Sequence, residues 1–438
     1  MSTDDLFPGY VTAQPGASEG SAGAVRREAP RLASPQRAQT YLRVCDFESL
    51  IAQDHPARLV WNAVSQLDLS VFLARVSSVE NGPGRAAVDP ALVISLLLFG
   101  RCEGIVNARE LERRCERDDA FRWLCGGVSI NHHLLSDYES KLHLEVDALF
   151  NQLLAVLLHQ DLVSLERTAH DGTRVRASAG AASFRREKTL QDCLVEAQTH
   201  LTEVQQEPAA NAPTRAARRR AARERQARVE KALAELPKVR AAKRTAEDKA
   251  EARVSTTDAD ARVMKMPDGG FRPAYNVQLA ADPISRVVTG VGLTNIGSDS
   301  GQTTPMLLDI ERRTGTRPSE YLADGGYVNT EAFTAATLDG TTVYAPVPAP
   351  RNETIDRHAP KPTDSPETAA WRARMATPEA KELYKQRAST IELVNADLKG
   401  HRGLEQLAVR GSSKVFSSVL WTVLAYNLLQ AIKLGAFA

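Results

Sequence analysis

The sequence carries almost no net charge: 55 Lys and Arg against 54 Asp and Glu leave +1. Total charge therefore argues neither for nor against a polyanionic partner, and only local clusters can speak to one. Cysteines are few, and Cys45, Cys102, Cys115, Cys125 and Cys193 show no Cys-x-x-Cys spacing. No apolar leader precedes them, so reduced cytosolic thiols are expected and a zinc site is not. Uninterrupted apolar runs are also missing. The longest, Val415 to Leu434, is broken by Ser417, Ser418, Thr422, Asn427, Gln430 and Lys433. A lone membrane span tolerates such breaks poorly, so a buried terminal helix is expected and no membrane contact.

What is present suffices for two or three domains, since 438 residues at 43% hydrophobic content can bury sizeable cores. Residues 1–44 mix Gly, Ser, Ala, Pro and charges without period and read as a disordered arm. Residues 45–160 carry helical spacing, with Pro90 opening an apolar helix, and read as an all-α domain. From 161 to 438 the period changes. Alternating β-branched runs at 162–178, 275–279 and 287–293 are followed by helix and strand in turn. This predicts an α/β layer with mixed strand directions, the turn Asp282-Pro283 joining the last two runs as a hairpin. Residues 184–254 interrupt it with apolar steps of three and four on both sides of Pro208 and Pro213, which predicts a helical hairpin inserted between strands. Residues 346–377 contain five prolines from Pro348 to Pro366 and read as a long loop.

Exchange of phosphodiester bonds requires stabilisation of an attacking and a leaving oxygen, which two hard cations held by isolated carboxylates provide. Asp171 in His170-Asp171-Gly172-Thr173 ends an apolar run, where an aspartate also reads as a turn residue. Asp324 in Leu322-Ala323-Asp324-Gly325-Gly326-Tyr327 stands where a strand gives way to a loop. Thr377 as N-cap, Pro378 and Gly400 bracket one long helix. At about 100° per residue, Tyr384, Glu392, Asn395 and Lys399 fall within roughly 80° of one face, with Arg387 about 60° to one side. Such a face also suits plain solvation.

Taken together, these residues resemble the insertion-sequence transposases with an Asp-Asp-Glu triad and a Tyr-Arg-Glu-Lys signature, in particular the insertion sequence 1182 group. The likeness runs from about Phe47 to Asn427, with Gly84-Arg85 and Asp89-Pro90 fitting the opening of the family's N-terminal domain. One departure is visible: four residues separate Arg387 from Glu392, where the commonest signature has three. The resemblance implies a bacterial DNA transposase, cytoplasmic and nucleoid-associated, with a ribonuclease H-like catalytic domain. Asp171, Asp324 and Glu392 would be its catalytic and metal-holding residues, with Mg2+ or Mn2+, two ions, as cofactor. It further implies hydrolysis at the element's ends and attack of the freed 3′-hydroxyl on target DNA, without a covalent protein intermediate. Arg387 and Lys399 would contact phosphate and Tyr384 the same strand, with Asn395 beside them. Tyr275 and Asn276 are read as structural. A catalytically inactive, transposase-derived DNA-binding protein is the alternative.

DNA, both element ends and target, is the expected partner, bound by a homodimer or higher assembly. Asn107–Leu111 and Ser129–Tyr138 suit a helix-turn-helix, which would set Asn131, His132 and His133 toward a major groove; polar capping explains them equally. His132 and His133 are adjacent and make a poor metal pair. Trp371 would stack on an extruded base, or simply pack. Seven arginines within 215–228 would clamp DNA, or solvate a helix face.

Overall fold

The computed structural model describes residues 46–78, 86–206, 212–350, 352 and 354–437. The arm at 1–44, Cys45, Gly84-Arg85 and Pro208 lie outside the described residues.

Among the described residues, seven α-helices come first: α1 (Pro56–Ser65), α2 (Ser70–Leu73), α3 (Pro90–Cys102), α4 (Ala108–Arg117), α5 (Asp119–Cys125), α6 (His132–Lys141) and α7 (His143–His159). Helix α3 starts where Asp89 accepts the Ala91 N–H and Pro90 supplies a preset φ. It is apolar all round, and Leu92 to Phe99 are buried on every side. Its neighbour is the terminal helix α16 (Ser412–Lys433), which also packs on α6, α7 and the sheet. Helix α16 is long and apolar enough to cross a bilayer, yet it is mostly buried as a core helix, and Ser417, Ser418, Thr422 and Asn427, which break its apolar run, each have a protein partner. Ser418 donates to Glu139 and Ser417 to the Glu139 carbonyl, beside the buried Arg101–Glu139 ion pair. Asn427 accepts the Val288 N–H at 2.9 Å and donates to the Val288 carbonyl at 2.7 Å.

The main sheet has β1 (Arg167–Arg176) at its centre, with β4 (Arg262–Lys265), β5 (Phe271–Ala281), β6 (Val288–Thr294), β7 (Glu320–Leu322) and β8 (Thr342–Tyr344). On one side β1 runs antiparallel to β5, whose outer edge carries both β4 and β6. On the other side β1 runs parallel to β7 and β7 parallel to β8. The sheet is therefore mixed. Helices α11 (Thr303–Thr314), α12 (Thr330–Leu338) and α13 (Pro366–Ala376) build a second core with Tyr321, Tyr327 and Val343. The first core joins Val277 and Leu279 to α3, α7 and α16.

Between β1 and β4 in sequence, α8 (Glu187–Gln206) and α9 (Ala212–Ala241) pack on each other, followed by α10 (Ala246–Ala250). Their base is closed by a two-stranded ribbon, β2 (Phe184–Arg185) antiparallel to β3 (Val254–Ser255). The stretch 346–377 is not wholly a loop: Pro366 opens α13 behind an N-cap, Ser365, so this proline starts structure instead of breaking it. Helix α14 (Pro378–Arg387) begins at the Thr377 cap, and α15 (Leu393–Gly400) ends the same long helix. Between them, Ala388–Glu392 form a π-helical turn.

Candidate carboxylate centre

Register explains why Asp171 and Asp324 meet. The parallel ladder ends on Ala169 opposite Leu322, and each aspartate lies two residues beyond that last pair, Asp171 still within β1 and paired with Leu279 of β5. They therefore stand level on neighbouring strands, whose spacing is about 4.8 Å. Alternation along β1 puts Asp171 on the face of Ala169 and Val175, which the first core covers. Ile391, Val394 and Leu398 are buried in that core and seat the third element, the helix carrying Glu392.

All three carboxylates converge on one guanidinium. Arg387 Nη2 lies 3.1 Å from Asp171 Oδ1 and 3.9 Å from Asp324 Oδ2, while Nη1 lies 3.6 Å from Glu392 Oε1. Exposure rises outward, with the side chains of Arg387 at 10%, Asp171 at 20%, Asp324 at 41% and Glu392 at 61%. The centre thus opens to solvent over Glu392, with Arg387 as its floor.

The π-turn makes this possible. Five residues along a regular α-helix leave two side chains roughly 140° apart, so Arg387 and Glu392 would diverge. Closing one turn over an additional residue returns Glu392 to the Arg387 side. The extra residue between them is absorbed there. Ser389 and Thr390 hydroxyls both bond the Gln386 carbonyl inside this turn.

Asn395 donates to Asp171 Oδ2 at 3.2 Å, leaving its own Oδ1 buried without a partner among the described residues. Asp171 Oδ1 also accepts the Gly172 N–H. Burial raises the Asp171 carboxyl from its ordinary 3.8 to about 6; Arg387 opposes this, and Asp324 and Asp299 add to it. Burial lowers Lys399, against the attraction of Asp171, and raises Tyr384, which packs on the second core. His170, next to Asp171, is wholly buried, bonded to the Tyr321 hydroxyl and pushed down to about 3, so it stays neutral.

A polar layer beneath Gly172 was not legible beforehand. Asn276 and Gln278 both donate to Asp299 Oδ1, at 2.7 and 2.9 Å, and Tyr327 donates to Gln278 at 2.6 Å. A Cβ on Gly172 would overlap Asp299 and Gln278. This glycine is thus required by side chains packed over it. The polar pair Asn276 and Gln278, alternating within an apolar strand, was the available signal. Tyr275 is structural, donating to both oxygens of Asp258.

Four predicted DNA contacts lie elsewhere. Trp371 is 1% exposed, donates to the Ala345 carbonyl and meets Phe333 edge-on at 5.3 Å. No base can reach it; its role is packing. Asn131 caps α6 by accepting the Leu134 N–H, and His132 is held by Glu112 at 2.8 Å. His133 is exposed, its ring 4.2 Å from that of His132. Among the described residues, no three His, Cys, Asp or Glu side chains stand ready at metal-ligand spacing; the carboxylates are spread around Arg387.

Two family models match the chain: Transposase domain (DUF772) over residues 45–141, and Transposase DDE domain over residues 248–428. The second spans Asp324, Tyr384, Arg387, Glu392, Asn395 and Lys399, and begins beyond Asp171 and the α8–α9 hairpin. No curated protein and no solved structure matches the chain.

Proposed function

We propose that this chain, with transposase domains on either side of its helical hairpin, is a DNA transposase of the insertion-sequence type. It would bind its element's terminal inverted repeats and use Asp171, Asp324 and Glu392 to cut and join DNA. The observation that carries the reading is their convergence from β1, the end of β7 and the signature helix onto one cation, Arg387. Two sheet strands and one helix delivering carboxylates to one point is also what supports a ribonuclease H-like catalytic domain.

The donors suit Mg2+ or Mn2+ in kind, being three carboxylates and the unpartnered Asn395 Oδ1, all hard oxygens. Two such ions would supply Lewis-acid stabilisation of the attacking and leaving oxygens. The protein's own groups do the rest. Asn395 fixes the Asp171 carboxylate by holding Oδ2, which leaves Oδ1 turned to the centre. Lys399, half-buried and attracted by Asp171, and Arg387 would hold the scissile phosphate through charge-assisted hydrogen bonds. Tyr384 would lie along the same strand.

Binding would fall to the N-terminal helices and to the arginines of α9, whose phosphate contacts should weaken steeply with salt. Of the three groove residues predicted, Asn131 and His132 already serve the fold, which leaves His133 as the exposed contact. A gel shift of a duplex carrying the matched inverted repeats that flank the gene tests end binding. Binding no tighter than to a scrambled duplex would overturn that part of the reading.

A further inference from the structure

The three carboxylates of the centre share a buried guanidinium that has no other ion-pair partner among the described residues. The Arg387 Nε is buried and unbonded, and its two terminal nitrogens face Asp171, Asp324 and Glu392. One planar group thus answers three anions that come from separate elements and would otherwise repel. The arrangement depends on the π-turn, because regular helix would carry Glu392 away from Arg387. The longer spacing between Arg387 and Glu392 is therefore tied to a specific contact.

We propose that Arg387 is the built-in counter-ion of the carboxylate centre, competing with divalent cations for Asp171, Asp324 and Glu392 and swinging off them when cations bind. This rests on the reading of the carboxylates as a cation site. A guanidinium and a divalent ion cannot share the same oxygens at close range, since their charges repel. Arg387 must then find another anion, and a DNA phosphate is the partner its planar fork fits. Cation binding and phosphate binding are thereby coupled through one side chain, each favouring the other.

The test is Mn2+ titration by calorimetry on the full chain, with thermal unfolding in EDTA alongside. Wild type, Arg387→Gln, Arg387→Lys and Asp171→Asn are compared. Arg387→Gln should bind Mn2+ at least about tenfold tighter than wild type, because its competitor is gone. It should also melt lower in EDTA and regain stability with Mn2+. Arg387→Lys, which keeps charge but cannot bridge three carboxylates, should fall between. If wild type shows Mn2+ binding that Asp171→Asn abolishes, while both Arg387 variants bind no tighter, the counter-ion role is overturned and the cation site stands. If wild type shows no Asp171-dependent Mn2+ binding, the cation site fails and the counter-ion role with it. Should Arg387→Gln fold only with Mn2+, the proposal is supported. Should it fold under neither condition, the affinity of Arg387→Lys decides.

Discussion

Replacing Asp171 with Asn should remove a pH-dependent penalty that the wild-type fold carries without metal. The Asp171 carboxyl is raised from 3.8 to about 6, burial outweighing Arg387, while Asp324 and Asp299 add repulsion. The folded state therefore binds this proton more tightly than the unfolded chain. Its contribution is fully favourable below pH ~4, is lost as pH rises toward ~6, and stays constant above that. Two units at about 1.4 kcal/mol each give a penalty on the order of 3 kcal/mol near neutrality. The side chain is only 20% exposed, so solvent screening trims this little. An Asn at 171 keeps the shape, and the free Asn395 Oδ1 can turn to accept from the new amide. Urea unfolding in EDTA, at about pH 4.5 and about pH 7.5, reads the effect as a difference between variant and wild type. Other titrations largely cancel in that difference. The variant should gain roughly 2 kcal/mol on wild type across the interval, since part of the penalty is already present at the lower pH, and excess Mg2+ should reverse the order at the higher pH. A gap that does not change with pH would refute the assignment of a strained, proton-seeking Asp171.

Gly172→Ala should destabilise by ~1–3 kcal/mol and lower cleavage activity, because the added methyl displaces Asp299 and Gln278 beside Asp171; thermal unfolding and a cleavage assay read both. Trp371→Ala should cost ~3–5 kcal/mol in urea unfolding, as expected of an emptied core site, without a specific loss of DNA affinity at temperatures where it is folded. Asn131→Ala should cost about 1 kcal/mol through the lost cap. His133→Ala should leave stability unchanged and weaken end binding in gel shifts.

The elements that hold the centre were legible because local signals agreed. The alternating run around Asp171, a short strand before Asp324, and the Thr377-Pro378 start of the signature helix each specify their own geometry. The helix face failed in one respect, since a uniform 100° step cannot see a π-turn, and the spacing of Arg387 looked like a misalignment. Helix α13 was hidden by the habit of reading prolines as loop, although Pro366 occupies the one helical position that welcomes it. Asp299 sits in a loop with no local pattern, and only the register of β5 over Gly172 gives it a place. Trp371 and His132 show the same limit: a side chain suited to nucleic acid is equally suited to a core or an ion pair until its neighbours are known.

Asp171, Asp324 and Glu392 are proposed to act as one metal-dependent cutting site. The most direct test incubates the purified full chain with an end-labelled duplex bearing the inverted repeats, with Mg2+ or with EDTA, beside Asp171→Asn, Asp324→Asn and Glu392→Gln. Wild type should cut at the element's ends only with Mg2+, and each variant should bind the same duplex yet leave it intact. Continued Mg2+-dependent cutting at those ends by Glu392→Gln would contradict the account and send the search for the third carboxylate to another residue, with Glu382 on the same helix the first to try.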